Sequence, residues 1–168
     1  RPFVTMSQDN SATLLVENKK VYLENYKIGG MPQTAASLGL KYNAPKFWFV
    51  GANFNYFMDT YIEPNPDRRT AEALSYYIST DPQVAKILEQ TKLDDGYTIN
   101  VFGGKSWKLK DKYFIRINVN VNNVLNVTDN PSGGFEQLRY NKQNIEKFPP
   151  KVGYMYGRTY FAMVSFSF

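Results

Sequence analysis

The sequence predicts an antiparallel all-β fold whose strands form one segment of a transmembrane β-barrel. Three features support this prediction. Apolar and polar residues alternate over long stretches, these stretches are longer than ordinary strands, and short and long connections follow each other along the chain. Alternation with a period of two places successive side chains on opposite faces of a strand. We therefore expect a sheet with one apolar face and one polar face.

Five segments carry the alternating pattern. The segment 48–59 would extend for about 40 Å at about 3.3 Å per residue, well beyond the five or six residues or so that are usual for soluble strands. In the segment Tyr113–Asn122, isoleucines and valines alternate with asparagines and one arginine. The segment 157–168 has apolar residues at every second position up to its last residue. Two further strands are expected near residues 36–42 and 97–107.

Three residues depart from this alternation. Lys105 falls on the apolar face of its strand. Its position beside Trp107, near the end of the strand, would let the ammonium reach the level of lipid headgroups. Phe161 and Met163 fall on the polar face of the last strand, where a plug or an inner wall could cover them.

The connections between the strands alternate in length. Residues 43–46 and 108–112 form short turns, whereas residues 61–95 and 128–156 form long connections. Outer-membrane barrels have short turns on the periplasmic side and long loops outside. We therefore expect extracellular loops at about residues 1–25, 61–95 and 128–156. The alternation within the strands, taken alone, fits a soluble sandwich equally well.

Two short helices are expected in the connection 61–95. Asp81 followed by Pro82 is typical of a helix start, with a capping side chain and proline at the first helical position. Helical spacing is carried by Leu74, Tyr77 and Ile78 in the first helix and by Val84, Ile87 and Leu88 in the second. Such a loop would pack its own small core, or it would form a lid or a docking surface.

The composition argues against an enzyme. The chain has no cysteine and no histidine, so it lacks the usual zinc ligands, thiol nucleophiles and neutral-pH proton carriers. We assign no catalytic, cofactor or metal residue. The net charge of +5 comes from scattered lysines and arginines, so no nucleic-acid partner is expected. A few acidic residues come close to forming a cluster, and we interpret them as solvent-exposed charges. The alternative interpretation is that they bind calcium. They are Asp59, Glu63, Asp67, Asp94 and Asp95.

Several segments resemble the C-terminal barrel of TonB-dependent receptors, in the branch with a carboxypeptidase-regulatory-like domain ahead of the plug. They are GGMPQTAASLGLKYNAPKFWFVGANFNYFMDTYIEPNPDRRT, DDGYTINVFGGKSWKL, INVNVNNVLN, GGFEQLRY and YGRTYFAMVSFSF. The last of them also resembles the C-terminal strand signature by which outer-membrane barrels are recognised during assembly. The resemblance implies a plugged barrel of about 22 strands, of which this chain supplies about the last five.

The same resemblance implies a place and a set of partners. The chain would lie in the bacterial cell outer membrane with its C-terminus facing the periplasm, and the receptor would actively import a nutrient ligand. Its partners would be the plug and upstream strands of the same receptor, outer-membrane lipid, and the TonB complex, which binds an N-terminal part. A surface lipoprotein lid is a further partner in this branch.

Five residues in the long connections are candidate contacts to a ligand or partner: Arg68, Arg69, Phe135, Arg139 and Tyr140. Two other functions stay open at this point. One is a small structural outer-membrane barrel or adhesin, and the other is a soluble glycan-binding β-sandwich. Because an open sheet facing lipid would leave backbone groups unpaired, we expect five strands to belong to a larger molecule.

Overall fold

The computed structural model describes residues 3–6, 12–15, 19–110 and 112–168. Strands make up 49% of the chain and helices 10%, and the strands pair antiparallel, so the predicted all-β class is confirmed. Among the described residues, no helix has the length and apolar character needed to cross a membrane.

The chain contains nine strands, two α-helices and one 3-10 helix within these described ranges. In chain order the first elements are β1 (Phe3–Met6), β2 (Ala12–Leu15), β3 (Pro32–Ala44), β4 (Trp48–Thr60), the 3-10 helix (Pro66–Arg69), α1 (Ala71–Leu74) and α2 (Pro82–Leu88). They are followed by β5 (Gly96–Leu109), β6 (Tyr113–Asn122), β7 (Pro131–Phe135), β8 (Lys151–Tyr154) and β9 (Thr159–Ser167).

Five strands form one antiparallel sheet in the order β3-β4-β5-β6-β9. These are the five strands that the alternating pattern predicts. The strands β1 and β2 pair with each other, as do β7 and β8, and neither hairpin was expected. The stretch around β7 and β8 is thus more than a loop, because β7 also pairs with the chain that follows β4: the Glu63 N–H donates to the Gly134 carbonyl at 2.9 Å.

The two ends of the five-stranded sheet differ, as the lengths of the connections predict. At the turn end, residues 45–47 join β3 to β4 and residues 110–112 join β5 to β6. Lys46 and Phe47 both have positive φ angles, 65° and 60°, which is the conformation of tight hairpin turns. At the loop end, residues 61–95 join β4 to β5 and residues 123–158 join β6 to β9. All the long connections of this sheet therefore leave from one end.

The register aligns like side chains across the sheet. We call one side the apolar face; it carries Leu38, Leu40, Tyr42, Trp48, Val50, Ala52, Phe54, Tyr56, Tyr97, Ile99, Val101, Trp107, Tyr113, Ile115, Ile117, Val119, Val121, Tyr160, Ala162, Val164 and Phe166. We call the other the polar face; it carries Ser37, Asn53, Asn55, Thr98, Asn100, Ser106, Arg116, Asn118, Asn120, Asn122, Thr159 and Ser165, with Phe49, Phe102 and Phe161 among them.

The chain divides into two compact units. The loop unit comprises Arg1–Tyr26, Asn65–Glu89 and Gln137–Phe148, and the sheet unit comprises Lys27–Pro64, Gln90–Glu136 and Pro149–Phe168. Ala73 and Ile87 are buried in the loop unit. That burial agrees with a long connection that packs a small core of its own.

The helices of the loop unit are partly as expected. The Asp81 carboxylate accepts a hydrogen bond from the Gln83 N–H at 2.8 Å and caps α2, as predicted. The first predicted helix is wrong beyond Leu74, because α1 ends there and the chain continues in turns. Ile78 is 77% exposed, so the spacing of Leu74, Tyr77 and Ile78 does not correspond to a buried helical stripe.

A buried asparagine shapes the chain where β6 ends. Asn123 has a φ angle of 50° and is buried. Its Nδ2 donates to the Val127 carbonyl at 2.7 Å and to the Tyr156 carbonyl at 3.2 Å, while its Oδ1 accepts from the Val127 N–H at 3.0 Å. The left-handed conformation suits asparagine better than most residues. Asn123 therefore connects the end of β6 to the approach to β9.

Replacing Asn123 by alanine should lower the free energy of unfolding by about 3 kcal/mol, because the variant loses these hydrogen bonds and strains a left-handed position. Urea unfolding followed by circular dichroism measures the loss. Asn118→Ala is the matched control on the polar face, where the side chain makes no hydrogen bond to the described residues. Equal losses in the two variants would contradict a special role for Asn123.

Candidate functional site

The apolar face of the sheet is not covered by other parts of the described chain. Val119 is 45% exposed, Phe166 is 58% exposed and Val164 is 69% exposed. The apolar side chains that are buried in the described residues are Ile62, Ala73 and Ile87, and all three lie outside the five-stranded sheet. A continuous exposed apolar surface of this kind marks an interaction surface.

Aromatic rings lie at both ends of the apolar face. At the turn end, Tyr42 contacts Trp48 edge to face, with ring centroids 5.8 Å apart, and Tyr113 stacks on Phe166 at 5.8 Å. At the loop end, Phe54 lies 6.4 Å from Tyr56 and 6.2 Å from Tyr97. Between the two groups, most positions carry aliphatic side chains. The face thus has an aliphatic middle with an aromatic border at either end.

The polar face contains a shallow depression of about 360 Å³. The rings of Phe49 and Phe102 form part of its floor, with centroids 6.4 Å apart. Amide side chains surround the rings; the lining includes Asn53, Asn100, Asn118, Asn120, Asn122 and Phe161. Aromatic faces together with uncharged amides suit neutral, hydrogen-bonding surfaces such as polypeptide backbone or sugar hydroxyls.

One amide side chain in this depression has an acceptor atom without a hydrogen-bond partner in the described part of the chain. Asn120 Nδ2 donates to Asn122 Oδ1 at 3.1 Å, whereas Asn120 Oδ1 is buried and has no hydrogen-bond partner in the described part of the chain. A buried acceptor without a donor costs about 1–3 kcal/mol. Because this oxygen is inaccessible to solvent, its capacity to accept a hydrogen bond is unused in the described part of the chain.

A second cavity, of about 420 Å³, opens at the loop end of the sheet unit. Its polar lining includes the carboxylates of Asp94, Asp95 and Asp129 and the rings of Tyr97 and Tyr154. Asn130 supports this wall, because its Oδ1 accepts from the Tyr97 N–H at 3.1 Å and its Nδ2 donates to the Tyr97 carbonyl at 2.5 Å.

The acidic residues make local contacts. Lys92 Nζ lies 2.6 Å from Asp59 Oδ1, and this hydrogen bond raises the pKa of Lys92. The Asp59 N–H donates to Asp95 Oδ1 at 3.3 Å. Within the described residues, no three acidic side chains are grouped as ligands of a metal ion would be. The calcium alternative therefore has no supporting geometry here.

The loop unit is organised around a buried arginine. Arg69 is 1% exposed; its Nε donates to the Tyr26 hydroxyl at 2.7 Å, and its terminal nitrogens donate to the carbonyls of Asn65 and Glu89 at 3.1 and 3.4 Å. The Tyr26 hydroxyl in turn donates to the Leu88 carbonyl at 2.5 Å. The guanidinium thus holds several segments of the loop unit together and presents no surface to a ligand.

Asn65 joins the two long connections within the loop unit. Its Oδ1 accepts from the Asp67 N–H at 2.9 Å and caps the 3-10 helix, while its Nδ2 donates to the carbonyls of Gln137 and Leu138 at 2.9 and 3.0 Å. The side chain of Arg68 reaches the same connection and donates to the Ile145 carbonyl at 2.9 Å. The sequence NPDRRT is therefore first of all a structural motif.

The other candidate contacts are more accessible. Arg139 is exposed; its Nε donates to Gln137 Oε1 at 3.3 Å, and its guanidinium lies 5.1 Å from the Phe148 ring centroid. Tyr140 is half-buried in the loop unit, and Phe135 is 51% exposed in β7 of the sheet unit. Four of the five candidates thus belong to the loop unit, and Phe135 belongs to the other unit.

The Tyr77 hydroxyl has a structural role that the sequence did not predict. That hydroxyl donates to the Lys142 carbonyl at 2.6 Å, and burial raises the pKa of Tyr77. Asn65, Asn123 and Asn130 were missed as well. Asn65 had a signal in the sequence, since a capping residue before Pro66 predicts a helical turn.

Arg69→Met should loosen the loop unit by about 2 kcal/mol, roughly a thirtyfold increase in its open fraction, because buried carbonyls lose charged donors. Limited proteolysis within residues 65–89 measures this opening. Arg139→Met removes the same charge at an exposed position and should leave the cleavage rate within about twofold. Equal cleavage of Arg69→Met and the unaltered protein would contradict the structural role of Arg69.

Comparisons of the chain with known protein families, with curated proteins and with solved structures find no match. The resemblance to TonB-dependent receptors therefore rests on the residue patterns of the chain.

Proposed function

We propose that this chain is part of the β-barrel of a TonB-dependent receptor, which actively imports a nutrient ligand across a bacterial outer membrane. The observation that carries the proposal is the exposed apolar face, which continues across five strands and has aromatic rings at both of its ends. Outer-membrane barrels have an apolar outer band between two aromatic girdles.

The height of the apolar face agrees with a membrane. Tyr97 and Trp107 mark its two aromatic borders on β5 and are ten residues apart. At about 3.3 Å per residue they are separated by about 33 Å along the strand, and a tilt of about 40° reduces this to about 25 Å of height. An apolar band of about 25 Å is typical of outer-membrane barrels. A soluble sandwich would instead need a second layer over this face.

The edges of the sheet support a larger barrel. In the described part of the chain, β3 pairs only with β4, and β9 pairs only with β6, so each has one open edge. Unpaired backbone groups are costly in lipid, and closure of a barrel removes them. We propose that upstream strands of the same receptor pair with both edges.

The polar face would line the hydrated interior of this barrel. Its amides and serines can be solvated or contact a plug. The depression around Phe49 and Phe102 would bind an uncharged segment of such a plug or a ligand during transport. Phe161, 60% exposed on this face, would be covered by the same contact. The energy for releasing the ligand into the periplasm would come from the TonB complex, which acts on the N-terminal part of the receptor.

The turn end would face the periplasm, together with the C-terminus, and the loop end would face the outside. The long connections then form the outer surface that captures the ligand, and a surface lipoprotein lid would dock there. Arg68, Phe135, Arg139 and Tyr140 remain candidate contacts. The structural use of Arg69 makes the more accessible Arg139 and Tyr140 the better candidates within the loop unit.

Import is tested by deleting the gene in the host and following solutes in a complex medium by untargeted mass spectrometry. At least one solute should remain in the medium of the deletion strain and be consumed again after complementation. A protonophore should abolish the rescued uptake, because TonB draws on the proton gradient of the inner membrane. Consumption that is unchanged by the deletion would argue against an importer.

Val119→Arg should lower the yield of folded protein in the outer-membrane fraction, because arginine near the middle of the lipid-facing band costs about 2–4 kcal/mol. Heat-modifiable mobility on electrophoresis measures this yield in the full-length protein. Asn118→Arg is the matched control, since Asn118 lies next in the chain and on the polar face. Its yield should stay close to that of the unaltered protein.

Detergent dependence separates this proposal from a water-soluble protein. The full-length protein should partition into the detergent phase and precipitate when the detergent is removed. A protein that stays dissolved and monomeric without detergent, and that tolerates Val119→Arg, would exclude the membrane assignment.

A further inference from the structure

Lysines accompany the aromatic rings at the turn end of the apolar face. Lys105 is exposed on this face, where its register partners are Trp48 and Ile117. A charged side chain between a tryptophan and an isoleucine is a local exception on this surface. Lys112, also exposed, stands at the start of β6, next to Tyr113.

The Lys105 side chain is directed toward the turn end. Its Nζ lies 5.3 Å from the centroid of the Trp107 ring. Trp107 is two residues, or about 6–7 Å along the strand, nearer to the turn end, so the ammonium lies beside a ring that is closer to that end. A lysine that keeps its stem on an apolar surface and extends its ammonium toward water adopts this geometry.

Lys112 lies beside a second ring at the turn end. Its Nζ lies 5.6 Å from the centroid of the Tyr113 ring. Tyr113 is opposite Leu109, and Trp107 is opposite Ile115, so Trp107 and Tyr113 are diagonal neighbours on the apolar face. Each ammonium group therefore lies beside one ring of this diagonal pair, and the rings also carry an indole N–H and a phenol O–H as hydrogen-bond donors.

The charge around this pair favours an anion. The turn end also carries Lys46, Lys108 and Lys110, and its described residues include no aspartate or glutamate. Asp111 is the acidic residue of the sequence here and lies outside the described residues. The loop end of the same sheet carries Asp59, Asp94, Asp95 and Asp129. The turn end thus presents lysines, whereas the loop end presents carboxylates together with Lys92 and Lys151.

We propose that Lys105, Trp107, Lys112 and Tyr113 form a binding site for the headgroup of an anionic phospholipid in the periplasmic leaflet. The phosphate lies between the two ammonium groups, the ring donors contact its oxygens, and the acyl chains run along Ile115 and Ile117. This inference rests on the proposed membrane function. A lysine that served only as a nonspecific anchor at the interface would bind zwitterionic and anionic lipids alike.

The test uses the full-length protein in detergent and native mass spectrometry with titrated lipids. Phosphatidylglycerol and phosphatidylcholine with identical acyl chains are compared. The unaltered protein should bind phosphatidylglycerol more tightly, and Lys105→Gln combined with Lys112→Gln should weaken that binding by about tenfold while leaving phosphatidylcholine unchanged. Lys105→Arg combined with Lys112→Arg keeps the charge and should retain the preference.

Two controls sharpen the result. Lys151→Gln removes one lysine from β8 at the loop end and should leave both lipids bound as before. Glycerophosphoglycerol, the headgroup without acyl chains, should not compete at the same concentration. Competition by this soluble compound would assign the site to free phosphate esters and overturn the lipid proposal.

The failures of the two proposals are distinguishable. Equal binding of both lipids by a folded protein, or a preference for phosphatidylglycerol that survives in the double glutamine variant, would overturn the headgroup site and leave the barrel intact. Absence of binding to either lipid, by a protein that stays dissolved without detergent, would overturn both. Heat-modifiable mobility shows in each case whether the variant is folded.

Discussion

The structure depends on the register of the five-stranded sheet. Because side chains alternate along every strand, only an in-register alignment collects the apolar residues on one face, and a slip of one residue would move a strand's whole apolar set to the other side. The alignment holds across all five strands. One cross-strand row, for example, consists of Leu40, Ala52, Val101, Val121 and Tyr160. The exposed apolar face, its aromatic borders and the proposed membrane placement all follow from this constraint.

The same register shapes the polar face through glycines opposite aromatic residues. Gly51 pairs with Phe102, and Gly104 pairs with Phe49. A Cβ atom at Gly104 would lie 2.7 Å from Phe49 Cε1, so glycine lets the ring lie against the backbone of the neighbouring strand. The two large rings therefore project little from the sheet and form the floor of a depression, with asparagines at its sides. A polar wall can in this way contain phenylalanines and still leave room for a plug or a ligand.

The sequence predicts the strands well and the loop architecture poorly, for a physical reason. Each long strand carries its own signal, since the alternation is set by the contrast between its two faces. The β7–β8 hairpin does not, because residues 131–134 are turn formers that pair only where Glu63 and β8 supply partners. The role of Arg69 depends on the Tyr26 hydroxyl and the Glu89 carbonyl, which are distant in sequence from its own segment. For the same reason, candidate ligand contacts chosen from loop motifs included a side chain that is entirely engaged in holding the loop together.

This division suggests where specificity would reside in the proposed receptor. Buried polar side chains with multiple partners, such as Arg69 and Asn65, give the loop unit one defined conformation, and altering them would change folding before it changed recognition. More accessible side chains, such as the exposed Arg139 and the half-buried Tyr140, can vary without disturbing these buried contacts. A chain built in this way can keep its sheet and its loop framework while the outer rim adapts to different ligands. Recognition would therefore depend on the exposed rim of the long connections, and the motifs that resemble known receptors would mark the framework that supports it.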